Sequence, residues 1–348
     1  MNFNNLVKVS FHILILTFIM YGCRKTGHAE SLHELKADGI RFTLDDQPFD
    51  MWGIRVGSAA IEEEYTSHLI DQLDEYMAHG VNSLAVYYMG THAGYANSFP
   101  SPDGTVLDQD HHRRMVRIIE EAAKRDMVVI VGIFYQRVEP ALQDAEAVRQ
   151  AVRTVTRELL PYRNVIINIA NEHNSHWYES TGFNDIFNMH DPERVLELCA
   201  IVHEVDPDRL VGAGGYDHDN NVTLGLSPHM DVLLFDTSTD RLSSGELYQR
   251  FRADGVTNKP IVNVETFGGW TANWPPGEFP DSVKASYYRE IEDAASEPGL
   301  SVFMHNNSWM QGPGEGHPLR YDLAGYGTEE DPGIRWYFEA VREARGLN

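Results

Sequence analysis

Eight short apolar segments alternate along the chain with longer segments of helical periodicity. These segments are MWGIRV, VNSLAVYY, MVVIVGIFY, NVIINIA, RLVGAGG, DVLLFD, PIVNVE and LSVFMHN. Runs that are apolar on successive positions are typical of strands buried on both faces, as in a parallel sheet covered by helices. Eight such strands in alternation with helices favour a closed α/β fold, the (β/α)₈ or TIM barrel, over an open doubly wound sheet.

The intervening segments carry helix signals. The clearest are EEYTSHLIDQLDEYMAHG, DHHRRMVRIIEEAAKR and AVRQAVRTVTRELL. In the last of them four apolar residues repeat at the spacing of one helix face: Val148, Val152, Val155 and Leu159. Aspartate before proline is a helix-start signal, and it occurs at Asp191 and at Asp331. We therefore expect helices to begin at both places.

The segment before the first predicted strand reads as a β-hairpin. In GIRFTLDDQPFDMWGIRV, two short apolar runs flank Asp45, Asp46 and Gln47. No GxGxxG follows the first strand, so a dinucleotide-binding fold loses its main support. The sequence shows no internal repeat and no Pro/Ser-rich linker. We therefore predict one barrel domain over residues 33–348.

The N-terminus has the features of an export signal. Lys8 precedes FHILILTFIM, which is too short to span a bilayer but has the length of a signal-peptide core. The following MYGC resembles a bacterial lipoprotein signal, in which Cys23 is lipidated. The alternative is an ordinary secretory signal that contains a cysteine, because Met20 and Tyr21 fit a lipobox poorly.

These features predict a signal peptide over residues 1–22 and a tether over residues 23–32. The expected location is outside the cytoplasm, either lipid-anchored to a bacterial membrane on the periplasmic or cell-surface side, or secreted. The other cysteine, Cys199, lies in a helical pattern and is expected to be a buried apolar residue.

The formal net charge of -24 narrows the range of ligands. Nucleic acid binding depends on clustered Lys and Arg, so this charge argues against it, and anionic membrane surfaces are disfavoured for the same reason. Membrane attachment is expected only through the N-terminal lipid anchor. A neutral sugar is compatible with the charge but is not implied by it.

Two glutamates end predicted strands. Asn171 and Glu172 follow the fourth strand, and Glu265 ends the seventh. The carboxyl ends of barrel strands meet at one face, so the two side chains can converge there. Glycoside hydrolysis requires such a pair: one acid to protonate the leaving oxygen, and one carboxylate to attack the anomeric carbon or activate water. A separation of about 5 Å would indicate retention of configuration, and roughly 6.5 to 9.5 Å would indicate inversion.

The motifs around these glutamates resemble those of a known group. ANE at the fourth strand and VETFG at the seventh are similar to the acid/base and nucleophile signatures of the clan A glycoside hydrolases. These are retaining (β/α)₈ enzymes that include the cellulase-like family 5. The opening ADGIRFTLDDQPFDMWGIRVG also resembles their usual entry, a hairpin that closes the barrel floor.

The resemblance implies a role for each matching residue. Glu172 would be the general acid/base and Glu265 the nucleophile, and Asn171 would hydrogen-bond the sugar 2-hydroxyl. Trp309, in HNNSWMQ, matches the aromatic platform on which a pyranose stacks. Glu172 must start protonated, and we expect ionised Glu265 to favour that state.

The chain also departs from the family 5 pattern, which carries an arginine after the second strand, a histidine near the third or fourth and a tyrosine near the sixth. The corresponding strands here end in other residues: Tyr87 and Tyr88, Tyr135 and Gln136, and Asp236, Thr237 and Ser238. Arg55, after the first strand, could replace the missing arginine beside Glu265.

Further polar and aromatic residues are expected at the mouth. Trp270 and Trp274 lie in a Gly/Pro-rich loop, where they form sugar subsites or anchor the loop. His173, His305, Asn306 and Asn307 either contact the ligand or support residues that do. With Asn171 and Trp309, the predicted substrate-binding set includes Arg55, Tyr88, Tyr135, His173, Trp270, His305 and Asn307.

Metal and cofactor chemistry are not expected. No strand ends in an HxH or HExxH pair, and His111 and His112 open a helix, where a cap or solvent role is expected. The sequence predicts an O-glycosyl hydrolase that cleaves a β-linked oligo- or polysaccharide with retention, and no protein partner is evident. The alternative is a barrel that has lost catalysis and captures carbohydrate at the cell surface.

Overall fold

The computed structural model describes residues 33–91, 94–237, 242–266, 275–307, 309–311 and 320–347. The predicted signal peptide, Cys23, Trp270 and Trp274 lie outside the described residues.

Eight parallel strands close into a barrel in chain order, as the sequence predicts. These are β4 (Trp52–Arg55), β5 (Ser83–Tyr87), β8 (Val128–Phe134), β9 (Val165–Ala170), β10 (Leu210–Ala213), β11 (Val232–Asp236), β12 (Ile261–Glu265) and β13 (Leu300–Met304). The last strand pairs with the first through Val302 and Trp52, which closes the ring. Residues in these strands are buried along almost their whole length, which explains their continuous apolar character.

Helices cover the barrel in the connections between strands. They are α1 (Glu63–Ala78), α2 (Gln109–Ala123), α3 (Ala145–Glu158), α4 (Trp177–Ser180), α5 (Phe183–Ile186), α6 (Pro192–Val205), α7 (His218–Leu226), α8 (Ser244–Ala253), α9 (Asp281–Ser296) and α10 (Arg335–Ala344). Within the described residues, the connection after β9 holds three helices, α4, α5 and α6. The apolar face predicted for α3 is buried, as is Cys199 in α6.

Side-chain caps start several of these helices where the sequence indicates. Asp191 caps α6 by accepting a hydrogen bond from the Glu193 amide, and proline occupies the first turn. The prediction at Asp331 is wrong, because α10 begins at Arg335. The Asp331 carboxylate instead accepts from the Tyr326 amide at 3.1 Å, which uses the aspartate to hold a loop.

A separate antiparallel sheet lies at the amino ends of the barrel strands, which we call the floor. It contains β1 (Leu35–Asp38), β2 (Arg41–Leu44) and β3 (Gln47–Phe49). The predicted hairpin joins β2 and β3, and its turn residues Asp45 and Asp46 both have positive φ, as a two-residue hairpin turn requires. The amide of Leu35 donates to the Arg163 carbonyl at 3.0 Å, which fixes the sheet to the barrel.

A buried network of charged residues and hydrogen bonds lies at the floor. Arg209, which precedes β10, is 2% exposed. Its guanidinium donates to the Asp206 carboxylate at 3.1 Å and to three backbone carbonyls, those of Leu159, Tyr162 and Val165. Arg163 donates to both oxygens of Asp206 at 2.9 Å. This network joins the amino ends of two neighbouring strands, β9 and β10.

The opposite end of the barrel, where the strands terminate, is called the mouth. A short hairpin of β6 (Gly90–Thr91) and β7 (Gly94–Tyr95) follows β5 on this side. Across the described ranges, no helix has the length and the apolar character needed to cross a bilayer.

Candidate active site

Three carboxylates meet at the mouth. Glu172 follows β9, Asp236 ends β11 and Glu265 ends β12. One oxygen of each side chain lies within 4.8 Å of an oxygen of the other two. The two glutamates that the sequence identified therefore converge, because strand ends three units apart in the chain meet across a closed barrel.

Glu265 lies in a positively charged and hydrogen-bonding environment. It is 4% exposed and forms an ion pair with the Arg55 guanidinium. His305 Nδ1 lies 3.0 Å from its Oε1. Arg55 comes from the first barrel strand and His305 follows the last, so barrel closure brings both beside the carboxylate. The structure thus places Arg55 where the sequence analysis expected the missing arginine.

Aromatic rings fix the position of Arg55. Its Cζ atom lies 4.9 Å from the centroid of the Tyr87 ring and 6.0 Å from that of Tyr135. Guanidinium groups bind the faces of such rings, and this contact is stronger where water is excluded. Tyr87 also accepts a long hydrogen bond, 3.4 Å, from the Asn168 amide on β9. Arg55 and Tyr135 therefore belong to the wall of the site.

His305 is a neutral support for Glu265. Burial, with the Arg55 charge as a smaller cause, lowers the pKa of His305 to about 3. Its Nε2 lies 3.1 Å from Asn307 Oδ1 and 3.0 Å from Gln311 Nε2, and these contacts hold the ring. Asn307 thus lies behind His305, one contact away from the carboxylate.

Glu172 is held by amides rather than by a cation. Gln136, at the end of β8, donates from Nε2 to the Glu172 carboxyl group. The Gln136 oxygen accepts from Asn171 Nδ2 at 2.9 Å. The Asn171 carbonyl accepts from the Tyr178 hydroxyl at 2.9 Å. This chain of hydrogen bonds orients Asn171 and Glu172 together.

The backbone at Glu172 is in an unusual conformation. Its φ of 43° lies in the left-handed region, which is costly for a residue with a side chain. The neighbouring strand comes close at Gly215, where a Cβ would collide with Asn174 Oδ1 and crowd the Glu172 Cα. Such a conformation persists only where the surroundings enforce it, and it directs this side chain into the mouth.

Burial keeps a proton on Glu172. Burial is the largest cause of the rise in the pKa of Glu172 to about 8, and Asp236 is the next. Arg55 and Arg137 act in the opposite direction and are weaker. From the sequence, ionised Glu265 is expected to favour protonation of Glu172. In the structure Asp236 is the carboxylate that favours protonation of Glu172, because the charge of Glu265 is paired with that of Arg55.

Tyr88, one of the predicted ligand contacts, lies away from this cluster. Tyr88 is completely buried, and its hydroxyl lies 2.8 Å from His112 Nδ1 in α2. It points outward beneath the helix, while Tyr87 points into the barrel, so the prediction chose the wrong member of the pair. His111 and His112 are buried as well, which corrects the expected solvent role. The cap of α2 is supplied by Asp108.

His173 and Trp309 are also enclosed. His173 is completely buried, and its Nδ1 lies 2.9 Å from the Met189 carbonyl, so the ring supports the long connection after β9. Trp309 is 4% exposed and donates from Nε1 to the Asp322 carbonyl at 2.7 Å. Arg320 lies over its ring at 5.3 Å. The structure therefore shows no open face of Trp309 for a sugar.

Two residues of the site were not assigned by the sequence analysis. Gln136 and Asp236 were visible as strand-end residues, but only as departures from a family pattern. Their position at the carboxyl end of a predicted barrel strand was the available signal.

Among the described residues, the three carboxylates are also the group whose spacing could admit a metal ion. Their oxygens are already engaged, however. Glu265 is paired with Arg55, and Glu172 accepts a hydrogen bond from Gln136. A cation would have to displace these contacts, so the arrangement fits proton chemistry better than metal ligation.

Comparison with known proteins gives a fold-level result. No protein-family model and no curated protein matches the chain. Among solved structures, the endo-1,4-beta-mannanase from Rhizomucor miehei matches with a TM-score of 0.57 and 14% identity, over 78% of this chain and 90% of that one. The β-1,4-D-mannanase from Cryptopygus antarcticus gives 0.56 and 13%, over 89% and 94%.

A glycoside hydrolase of family 5 from Bacteroides vulgatus matches with a TM-score of 0.60 and 13% identity, over 90% of this chain and 70% of that one. The protein thus has the (β/α)₈ fold of clan A glycoside hydrolases. The resemblance suggested by the sequence is confirmed at the level of the fold.

Proposed function

We propose that the protein is an O-glycosyl hydrolase that cleaves a β-linked carbohydrate with retention of configuration. The observation that carries this proposal is the approach of Glu172 and Glu265 to within 4.8 Å at the barrel mouth. Retaining enzymes hold their two carboxyl groups about 5 to 5.5 Å apart, whereas inverting enzymes leave room for water between them. No cofactor is required for this chemistry.

The opposite environments of the two glutamates support separate roles. Arg55 and His305 surround Glu265, which favours an ionised carboxylate able to attack the anomeric carbon. The pKa of Glu172 is raised to about 8, so at neutral pH it carries the proton that the leaving oxygen needs. Two carboxyl groups whose environments separate their protonation states are the usual basis of such acid and base assignments.

The reaction would proceed in two displacements. In the first, Glu265 forms a bond to the anomeric carbon while the glycosidic C–O bond breaks and Glu172 protonates the departing oxygen. In the second, Glu172 removes a proton from water, whose oxygen attacks the anomeric carbon and releases Glu265. Asn171, which donates a hydrogen bond to Gln136, would hydrogen-bond the sugar beside Glu172.

The names of the structural neighbours suggest which substrates to assay first. Two of them are named as β-1,4-mannanases, so β-1,4-mannan and its oligosaccharides belong in the first set of substrates. Cellulose-type β-1,4-glucans belong beside them because of the family 5 resemblance. A panel of aryl β-glycosides with different sugars would identify the sugar that the site accepts.

Replacement of each glutamate by alanine tests the two roles. Glu265→Ala is expected to lower kcat/KM on an aryl β-glycoside by about 10⁴-fold or more, because it removes the nucleophile. Azide should restore turnover and give a glycosyl azide of inverted configuration, identified by proton NMR. In Glu172→Ala, azide should replace water in the second step and give the retained configuration.

A surface variant provides the control. Glu204→Ala removes an exposed glutamate from α6 and should leave kcat/KM unchanged. Normal turnover by Glu265→Ala would remove that residue from the mechanism. Binding of glycans by the unmodified protein without product would instead identify a carbohydrate-binding barrel, the alternative considered from the sequence.

We also propose that the protein is exported and that Cys23 carries a lipid anchor. The N-terminal sequence Lys8 to Cys23 supports this proposal, and residues 1–32 lie outside the described structure. Mass spectrometry of the mature N-terminus would distinguish a lipidated cysteine from cleavage by an ordinary signal peptidase.

A further inference from the structure

The mechanism above uses two of the three carboxylates at the mouth and leaves Asp236 without a role. Asp236 is 2% exposed, ends β11 and is paired in register with Glu265 on β12, at a point where the register shifts. Its carboxyl group faces that of Glu172 across the pocket, with oxygens of the two groups within 4.8 Å of each other. An unneeded buried carboxylate beside two others would be costly, so its presence calls for a function.

A hydrogen bond between two carboxyl groups requires that one of them is protonated, because two carboxylates have no hydrogen to share. Carboxyl groups this close in a pocket largely closed to water favour one shared proton over two adjacent negative charges. The guanidinium of Arg55 is committed to Glu265, and Arg137 stacks on Trp177 at 4.5 Å. The proton thus takes the place that a cation would occupy elsewhere.

We propose that Asp236 is a positioning residue for the acid/base Glu172, one that receives the hydrogen bond of the protonated carboxyl group in the resting site. This inference rests on the proposed function. It assigns a role to the position after the sixth strand, where the family 5 pattern has a tyrosine.

The two halves of the reaction use this contact differently. In the first displacement the proton of Glu172 passes to the glycosidic oxygen as the C–O bond breaks, which leaves Glu172 and Asp236 both ionised. Their repulsion then makes Glu172 a stronger base for the proton of the incoming water. When that proton arrives, the shared hydrogen bond is restored, and no co-reactant other than water is consumed.

Other groups also face Glu172 and set the background against which Asp236 acts. Arg55 and Arg137 favour its ionised form, and ionised Glu265 lies across the pocket. Several tyrosines with raised pKa are also close enough to interact with it electrostatically: Tyr87, Tyr135, Tyr178 and Tyr216. These phenols stay neutral near pH 8. Asp236 is therefore the neighbour whose removal should change the titration of Glu172 most.

Asp236→Asn tests the inference through the pH profile. In the unmodified protein, kcat/KM should fall with rising pH near pH 8, which is the alkaline limb of its pH profile. In Asp236→Asn this limb should move to lower pH by about one unit or more. With a 2,4-dinitrophenyl glycoside, whose departure needs little protonation, kcat/KM at pH 6 should change by less than about threefold. The kcat should fall by about tenfold, and azide, which needs no general base, should restore it.

The same substitution at the other end of β11 is the matched control. Asp231 directly precedes β11 at the floor, where its carboxylate accepts from the Val211 amide at 3.0 Å and lies 2.9 Å from His203 Nε2. Asp231→Asn also removes one carboxylate charge, here from a partly exposed side chain, but it should leave the alkaline limb in place. A general loss of activity in Asp236→Asn without movement of the limb would overturn the positioning role.

A second measurement does not depend on turnover. In protein labelled with ¹³C at the glutamate carboxyl carbons, the resonance missing from Glu172→Gln identifies Glu172. Its titration midpoint should fall in Asp236→Asn and stay unchanged in Asp231→Asn. An unchanged midpoint in Asp236→Asn would reject shared protonation even if the enzyme is active. A shifted midpoint in a protein that hydrolyses no glycoside would support the proton sharing and reject the proposed function.

Discussion

The two ends of the barrel treat buried charge in opposite ways. At the floor, Arg209 is matched by Asp206 and three backbone carbonyls, and Arg163 binds the same aspartate. At the mouth, three carboxylates share a pocket in which Arg55 contacts Glu265, and Glu172 depends on a proton. The floor satisfies its charges, whereas the mouth keeps like charges together.

This difference separates stability from chemistry. A buried charge with all its hydrogen bonds made costs little beyond its desolvation, and removing its partner is strongly destabilising. Carboxylates held close to one another raise the energy of the folded state, but they displace pKa values into the range that acid and base catalysis needs. Substitutions at the mouth should therefore cost activity, and substitutions at the floor should cost stability.

The largest effect is expected at the mouth. Glu172→Gln removes the acid/base and should lower kcat/KM on a substrate with a poor leaving group by about 10²- to 10⁴-fold. Because the variant also removes a carboxyl group that is unfavourable in its ionised form, Tm at pH 9 should rise. Steady-state kinetics and calorimetry on the same preparation measure both changes. If Tm at pH 9 falls as activity falls, the carboxyl groups at the mouth do not destabilise the folded protein, and the prediction is wrong.

The converse change is expected at the floor. Arg209→Met removes the hydrogen bonds that Arg209 donates to Asp206 and to three carbonyls, so the free energy of unfolding should fall by about 3 to 5 kcal/mol. The kcat of the protein that remains folded should be unchanged, because the residue lies at the amino ends of the strands. Urea unfolding and active-site-normalised kinetics test the two statements. A large change in kcat would show that the ends are coupled.

A smaller effect is expected at Glu290, a buried carboxyl group on α9 that accepts a hydrogen bond from the Ser244 amide at 3.0 Å. Burial raises the pKa of Glu290 to about 7 from its usual 4.5. As pH rises, the unfolded chain therefore loses this proton at a lower pH than the folded protein does. The contribution of Glu290 to the free energy of unfolding falls as pH rises from about 4.5 to about 7.

Glu290→Gln should remove this dependence. Compared with the variant, the unmodified protein should lose about 2 kcal/mol more of its free energy of unfolding between pH 5 and pH 8. Urea unfolding at the two pH values measures the difference. If the free energy of unfolding depends on pH in the same way in the two proteins, hydrogen bonding to the start of α8 keeps the Glu290 carboxyl group ionised.

Much of this architecture was predictable from local sequence. The eight barrel strands appear as continuous apolar runs because both of their faces are buried, and Glu172 and Glu265 stand out because they are glutamates at the ends of two of those runs. Closure of the barrel then determines that the two meet. The helix at Asp191 was predictable for a similar reason, since its cap and its proline are adjacent in the chain.

Other features depend on contacts that a single sequence does not reveal. Tyr87 and Tyr88 differ by one position in a strand apolar on both sides, so the pattern does not tell which ring faces inward. Asp236 was visible, but its approach to Glu172 brings together residues from different strands. At Asp331 the local signal was misleading, because its carboxylate binds the Tyr326 amide instead of starting a helix.

The closing pair of strands has a consequence during synthesis. Arg55 precedes α1 and His305 follows β13, so the two groups that hold Glu265 come from opposite ends of the translated barrel. A nascent chain that has not extended past His305 contains both glutamates but not the surroundings that distinguish them. Fragments released early from the ribosome, or cut before β13, should therefore be inert toward glycans.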